Sequence, residues 1–145
     1  MISITIRQGT QGDLSSVVNH YGSSDTPWDP FGDLSKLQSI PLEGLLIAEV
    51  DNEYAGFLYW FTGENPWFDP GTKRFAYITE VHIAEKYQGQ GVGKNLLFYA
   101  VEQLKEKSIK SIFISATEDN AVARHLYESS GFRPFSRSIH YKLEY

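Results

Sequence analysis

The chain has 145 residues, no cysteine and a formal net charge of −5. That length supports one domain, residues 1–145, with a core of its own and no need of disulfide or metal staples. The missing cysteines exclude thiolate chemistry, and an acidic chain without a basic run speaks against a nucleic-acid partner. The four histidines (His20, His82, His125, His140) show no paired metal-ligand spacing, so no metal site is expected. No leader-like segment opens the chain and no apolar run is long enough to span a bilayer, which makes a soluble cytoplasmic protein, monomer or homodimer, the expectation.

In chain order, ISITIR alternates isoleucine with polar residues as a half-buried strand does. Asp13 is placed to cap a helix through Tyr21, with Leu14, Val17, Val18 and Tyr21 at helical spacing. The turn-rich SSDTPWDPFGD precedes a short helix near 33–39. LLIAEV (45–50), the turn DNE and YAGFLYWFT (54–62) read as a hairpin, followed by the irregular loop GENPWFDPGTKR. FAYITEVHIA (75–84) is apolar on both faces, as in a central strand, with Ala76, Ile78, Glu80 and His82 expected to share one face.

Three alternating glycines come next, QGQGVGK (88–94), and open a helix with the apolar stripe Val92, Leu96, Leu97, Ala100, Val101 and Leu104. SIFISA (111–116) reads as a buried strand, and TEDNAVARHLYESSG as a helix capped by Asp119 or Asn120 and stopped by Gly131. FRPFSRSIHYKLEY then reads as one or two further strands. The sum is an α/β fold with a mixed sheet, a meander followed by βαβαβ.

The glycines fit neither familiar phosphate loop. A dinucleotide fingerprint needs G-x-G-x-x-G, and the spacing of Gly89, Gly91 and Gly93 is G-x-G-x-G. A P-loop needs four residues before its Gly-Lys and a Ser or Thr after it; here three intervene and Asn95 follows Lys94. Both motifs share a mechanism that survives: successive backbone N–H groups running into a helix N-terminus form an anion nest. A plain strand-to-helix turn is the alternative reading.

Gln88-Gly89-Gln90-Gly91-Val92-Gly93 resembles the Q/R-x-x-G-x-G/A signature of the GNAT superfamily of N-acetyltransferases. Asn120-x-x-Ala123-x-x-Leu126-Tyr127-x-x-x-Gly131-Phe132 is similar to the later helix of the same family. The resemblance covers nearly the whole chain, most specifically from about 75 to 132, although Ala84-Glu85-Lys86 stands where many relatives carry proline or aspartate. It implies a single GNAT-like domain with a mixed, mostly antiparallel sheet of six to seven strands flanked by helices. It further implies acetyl-CoA as acyl donor and an amine as acceptor. The amides of Gln88 to Lys94 would hold the pyrophosphate, the backbone of Val81, His82 and Ile83 would pair with the pantetheine arm, and Asn120, Ala123 and Tyr127 would line the thiol.

Acyl transfer from a thioester to an amine needs a base for the ammonium, a donor for the carbonyl oxygen and a proton for the departing sulfur. Glu80, on a strand that reads as buried, is the candidate base, with a surface ion pair as its alternative reading and His82 as a rival. Tyr127 is the candidate acid by its place in the second motif; a core tyrosine is the alternative. Asp25, Trp28, Asp29, Trp60, Trp67, Phe68 and Asp69 lie in segments expected to border the acceptor, where aromatic faces and carboxylates suit a cation. A small cationic amine is the first expectation, a protein N-terminus or lysine the second, and a non-catalytic acyl-CoA sensor the third.

Overall fold

The computed structural model describes residues 2–22 and 29–145, so Asp25 and Trp28 lie outside the described residues. Two compact units divide the chain, residues 1–115 and 116–145.

The first unit is built on five strands: β1 (Ile4–Gln8), β2 (Leu45–Val50), β3 (Glu53–Glu64), β4 (Arg74–Ile83) and β5 (Ile112–Ile114). They lie in the order β1-β2-β3-β4-β5. The first four pair antiparallel, β2 and β3 through a tight turn, and β5 joins β4 in parallel after the crossover helix α3 (Val92–Glu106). Helices α1 (Leu14–Tyr21) and α2 (Leu34–Leu37) fill the connection from β1 to β2.

Alternation along the strands gives the sheet two apolar faces. Leu45, Ile47, Phe57 and Tyr59 pack with Leu14 and Val17 of α1, Leu37 of α2 and Phe31. Leu46, Leu58, Trp60, Ala76 and Ile78, also buried, point the other way, beneath the stripe Leu96, Leu97, Ala100 and Leu104 of α3. Trp60 Nε1–H donates to Gln103 Oε1 of α3 at 3.1 Å, which fixes the side that this row occupies.

One irregularity in β4 decides where the later side chains go. Tyr59 stands opposite Glu80 and Trp60 opposite Ile78, so Thr79 has no partner across the ladder. The extra residue reverses the alternation. Glu80 and His82 therefore share the α1 face with Phe75 and Tyr77, while Ala76 and Ile78 lie under α3. The expectation of one face for Ala76, Ile78, Glu80 and His82 is corrected accordingly, because period-two counting fails across a bulge.

The second unit contains α4 (Ala121–Ser129). Its N-cap is Asn120, whose Oδ1 accepts the Ala123 N–H at 3.0 Å, and Gly131 follows its end with φ +100°. Residues 133–145 form no strand among the described residues, so the sheet has five strands rather than six or seven. Ile139, Tyr141, Leu143 and Tyr145 do alternate as a strand would. Alternation sets the face that a strand would bury, not whether its backbone meets an open edge.

Asp13 is used differently from the helix cap expected of it. Its carboxylate takes two bonds of 2.8 Å from the Arg7 guanidinium and one of 2.8 Å from the Thr10 N–H, and Arg7 Nε also reaches Glu49 at 3.1 Å. This ties the start of α1 to β1 and β2. The Arg7 bonds hold the Asp13 carboxyl below the usual carboxylate range. A depressed folded-state value means stability that is present above the unfolded value and lost as pH falls through the folded one. Asp13→Asn should therefore cost about 1 kcal/mol at neutral pH, the modest figure reflecting a partly exposed arginine. Denaturant unfolding of both proteins from pH 7 down to pH 3 should show that difference shrinking toward zero.

Candidate functional site

The first component is the turn between β4 and α3. Tyr87 is buried and donates its hydroxyl to Glu53 Oε2 of β3 at 2.5 Å, anchoring the chain just before the glycines. Gln88 Nε2 reaches the Ile83 carbonyl at 3.0 Å and Gln90 Nε2 the Lys86 carbonyl at 3.3 Å, so both glutamine side chains brace the turn. Gly89 (φ +77°) and Gly91 (φ +84°) adopt the left-handed conformation that costs glycine least. A Cβ on Gly89 would meet nothing within 4 Å, so the space before the turn is open. No side chain caps α3, leaving the N–H groups of Val92, Gly93 and Lys94 for an external acceptor, with the helix dipole behind them. Such a turn fits a pyrophosphate.

The second component is the edge of β4. Strand β5 pairs only with Ala76, Tyr77 and Ile78, so the stretch from Thr79 to Ile83, with Val81 and His82, has a strand partner on the β3 side alone among the described residues. Backbone groups left on such an edge can pair with an extended amide-bearing chain, and pantetheine is one.

The third component surrounds Glu80. The Tyr21 hydroxyl, at the end of α1, lies 2.7 Å from Asp29 Oδ2 and 3.2 Å from Glu80 Oε2, between the two carboxylates. Asp29 is held by its other oxygen, which accepts the Phe31 N–H at 2.9 Å. Burial pushes the Glu80 carboxyl up; the Tyr21 hydrogen bond pulls it back, the Asp29 charge pushes it up, and the Val81 N–H pulls it back. Burial and the bond to Asp29 drive the Tyr21 phenol far above its usual range, so it stays a donor. The His82 ring lies 5.1 Å from that of Tyr21, its Nδ1 is buried without a partner among the described residues, and burial and nearby His20 push its pKa down.

Along the same face runs an aromatic trough of about 420 Å³, floored by Phe61, Phe75 and Tyr77, walled by Trp67 and Phe68, and ending at Thr79. Among the sequence-expected acceptor residues, the structure brings Asp29 to Glu80 and Trp67 and Phe68 to the trough. Trp60 is 3 % exposed and on the α3 face, and Asp69 closes its own loop by accepting the Thr72 hydroxyl at 2.7 Å. Tyr21 was visible in sequence only as a helix-core position, and Tyr77 only as a strand residue. In the second unit, Asn120, Ala123 and Tyr127 share α4, Asn120 as its cap and Tyr127 with its ring 6.4 Å from that of Phe132.

The model of the acetyltransferase (GNAT) family matches residues 14–132, and the chain belongs to that family. That family is one of acetyltransferases. The chain is 30 % identical over 63 residues to the chloroplastic GCN5-related N-acetyltransferase 6 of Arabidopsis thaliana, covering 43 % of this chain and 22 % of that protein. It is 35 % identical over 106 residues to the [ribosomal protein bS18]-alanine N-acetyltransferase of Haemophilus influenzae, covering 73 % of this chain and 64 % of the relative. The chain thus spans less than two thirds of the length of either. Among solved structures, an aminoglycoside N-acetyltransferase in complex with CoA shares the fold with a TM-score of 0.78 at 17 % identity, covering 99 % of this chain and 96 % of that one. No helix among the described residues is long and apolar enough to cross a membrane.

The geometry around Glu80 generates a direct test. Tyr21→Phe keeps the ring in the core and removes the O–H that stabilises the ionised carboxylate. The Glu80 carboxyl should then titrate at higher pH than in the wild type. Carbon-13 NMR titration of glutamate-labelled protein, with Glu80→Gln to assign the resonance, checks this.

Proposed function

We propose that this chain transfers the acetyl group of acetyl-CoA to the primary amine of a small cationic molecule, by direct attack within a ternary complex, with Glu80 as the base. The observation that supports it most is a half-buried carboxylate, raised by burial and braced by a tyrosine, on the strand whose edge has no second strand partner there among the described residues. When bound, acetyl-CoA supplies a thioester carbonyl ready for attack. The turn from Gln88 to Lys94 receives its pyrophosphate on backbone N–H groups, and the β4 edge from Val81 to Ile83 aligns the pantetheine arm. Glu80, with Asp29 beside it, draws an ammonium group by charge. Glu80 then accepts one proton, directly or through a water, so that the nitrogen lone pair can form the C–N bond. Tyr127 donates its hydroxyl proton to the sulfur as the C–S bond breaks, and the second proton that the nitrogen gives up passes through water to restore the phenol, a role carried by its place in the second motif together with Asn120 and Ala123. A cytoplasmic monomer or homodimer belongs to the same reading. The second reading is a protein N-terminus as acceptor, favoured by the identity to the Haemophilus influenzae relative.

Acetyl-CoA at millimolar concentration should raise the melting temperature, since it binds only the folded chain. Gly91→Asn, which tolerates the left-handed conformation, should fold and retain most of that shift. Gly91→Val should lose it while still melting cooperatively. Equal shifts in all three proteins would mean that the glycines serve only the turn.

Glu80→Gln should lower turnover by roughly 10²–10⁴-fold and leave the affinity for acetyl-CoA unchanged. The acidic limb of the wild-type kcat/KM profile should lie above the ordinary carboxylate range and vanish in this variant. Tyr127→Phe should lower turnover about ten- to a thousand-fold and remove the opposite limb. A drop in melting temperature with unchanged turnover would make either residue structural.

A further inference from the structure

None of the residues lining the trough on the α1 face belongs to the glycine turn or to the Val81–Ile83 edge. Its Phe61 and Tyr77 rings stack at 16° with centroids 6.0 Å apart, and both line it. Phe68 stands edge-on to Tyr77 at 6.4 Å and to Phe113 at 4.9 Å, so the wall is packed from behind. Tyr77 is held by donating its hydroxyl to Ser115 Oγ at 2.7 Å. Outside this framework Trp67 is 89 % exposed and Phe61 44 % exposed, an unusual display of large apolar surface on one face.

Position and charge specify an occupant. Glu80 stands opposite Tyr59 and Tyr77 opposite Phe61, two residues farther along β3. Two strand residues span about 7 Å, so a nitrogen held at Glu80 lies about that far from the ring floor, the reach of a two- or three-carbon spacer and half a ring. A cavity of roughly 150 Å³ holds a benzene, and the trough, at about 420 Å³, has room for one- or two-ring groups. The trough is aromatic with Glu64 in its lining, and Glu80, the residue after its Thr79, shares the Tyr21 hydroxyl with Asp29.

We infer that the trough binds the apolar part of the acceptor, so that the enzyme selects primary amines carrying an aryl or bulky alkyl group two or three carbons from the nitrogen. This rests on the acetyl-transfer reading and narrows it. Simple polyamines and amino sugars, which offer no ring to the floor, are poorer acceptors under this inference. Thr79, at the junction, places the change from charged to aromatic lining at the bulge itself.

The test compares amines of equal charge on the intact chain. With saturating acetyl-CoA, kcat/KM for 2-phenylethylamine should exceed that for ethylamine by at least about tenfold, as a ring in an apolar pocket does. Trp67→Ala should lower the 2-phenylethylamine value about tenfold more than the ethylamine value. Binding is read independently of catalysis: 2-phenylethylamine should quench tryptophan fluorescence in the wild type and not in Trp67→Phe, and ethylamine should quench neither. Equal turnover of both amines, or a Trp67→Ala effect of the same size on both, overturns the inference and leaves acetyl transfer standing. Quenching without acetylation of any amine keeps the trough as a ligand site and overturns the acetyl-transfer reading. No quenching overturns the trough whatever the turnover.

Discussion

In an antiparallel ladder one unpaired residue changes the face that every later side chain meets, and in β4 that residue is Thr79. Without it, Glu80 would follow Ala76 and Ile78 under α3, an apolar layer with no room for a carboxylate. With it, Glu80 turns to the face where α1 ends, and Tyr77 and Phe75 continue that face as an aromatic floor. The pairing with β5 stops at Ile78, immediately before the bulge. One local break therefore sets the direction of the acid and the bare strand edge together. It also places charged and aromatic surfaces end to end, because they lie on either side of the same residue.

The carboxylates near the break are arranged at some cost. Two acidic groups on a half-buried face repel each other, and a tyrosine hydroxyl lies between them, 2.7 Å from one and 3.2 Å from the other. A phenol so placed lowers the penalty for charge without neutralising it, as a cation would. Glu80 keeps a raised pKa as a result. The sign of the linkage follows. A carboxyl whose folded value is raised contributes stability that is present below the unfolded value and lost as pH rises through the folded one. Asp13, with its arginine, has the opposite sign. The fold thus spends on Glu80 some of the stability that the Arg7 cluster supplies, the pattern expected where a group is kept for chemistry rather than for packing.

What could be read from the sequence was local. The α3 stripe, the hairpin and the glycine turn depend on neighbours a few residues apart, and periodicity reports them. Glu80 was legible as a charged residue in an apolar strand. Its partners were not: Tyr21 is 59 positions away and looks like any apolar helix residue. The bulge was equally hidden, since nothing in FAYITEVHIA marks which residue will lose its partner. Trp60 shows the consequence. It stands in a run of three aromatics that reads as a ligand wall, yet alternation sends it to the α3 face while Tyr59 and Phe61 face the other way. The last residues failed for a different reason, because a strand pattern without a paired edge is only a pattern.

The donor side and the acceptor side proposed for this molecule rest on different physics. The turn at Gly89 and Gly91 and the open stretch of β4 would act through backbone N–H and C=O groups, which any sequence with the right backbone can supply. On the acceptor side, the groups proposed to act are side chains: Glu80, Asp29 and Tyr21 for charge, Phe61, Trp67 and Tyr77 for shape. Proteins named for acting on a ribosomal-protein alanine and on aminoglycosides can therefore resemble this chain in sequence or in fold while acting on dissimilar amines. If the donor is held by backbone and the acceptor by side chains, as proposed, substitutions confined to a handful of side chains around the bulge would change the acceptor and leave the donor site intact.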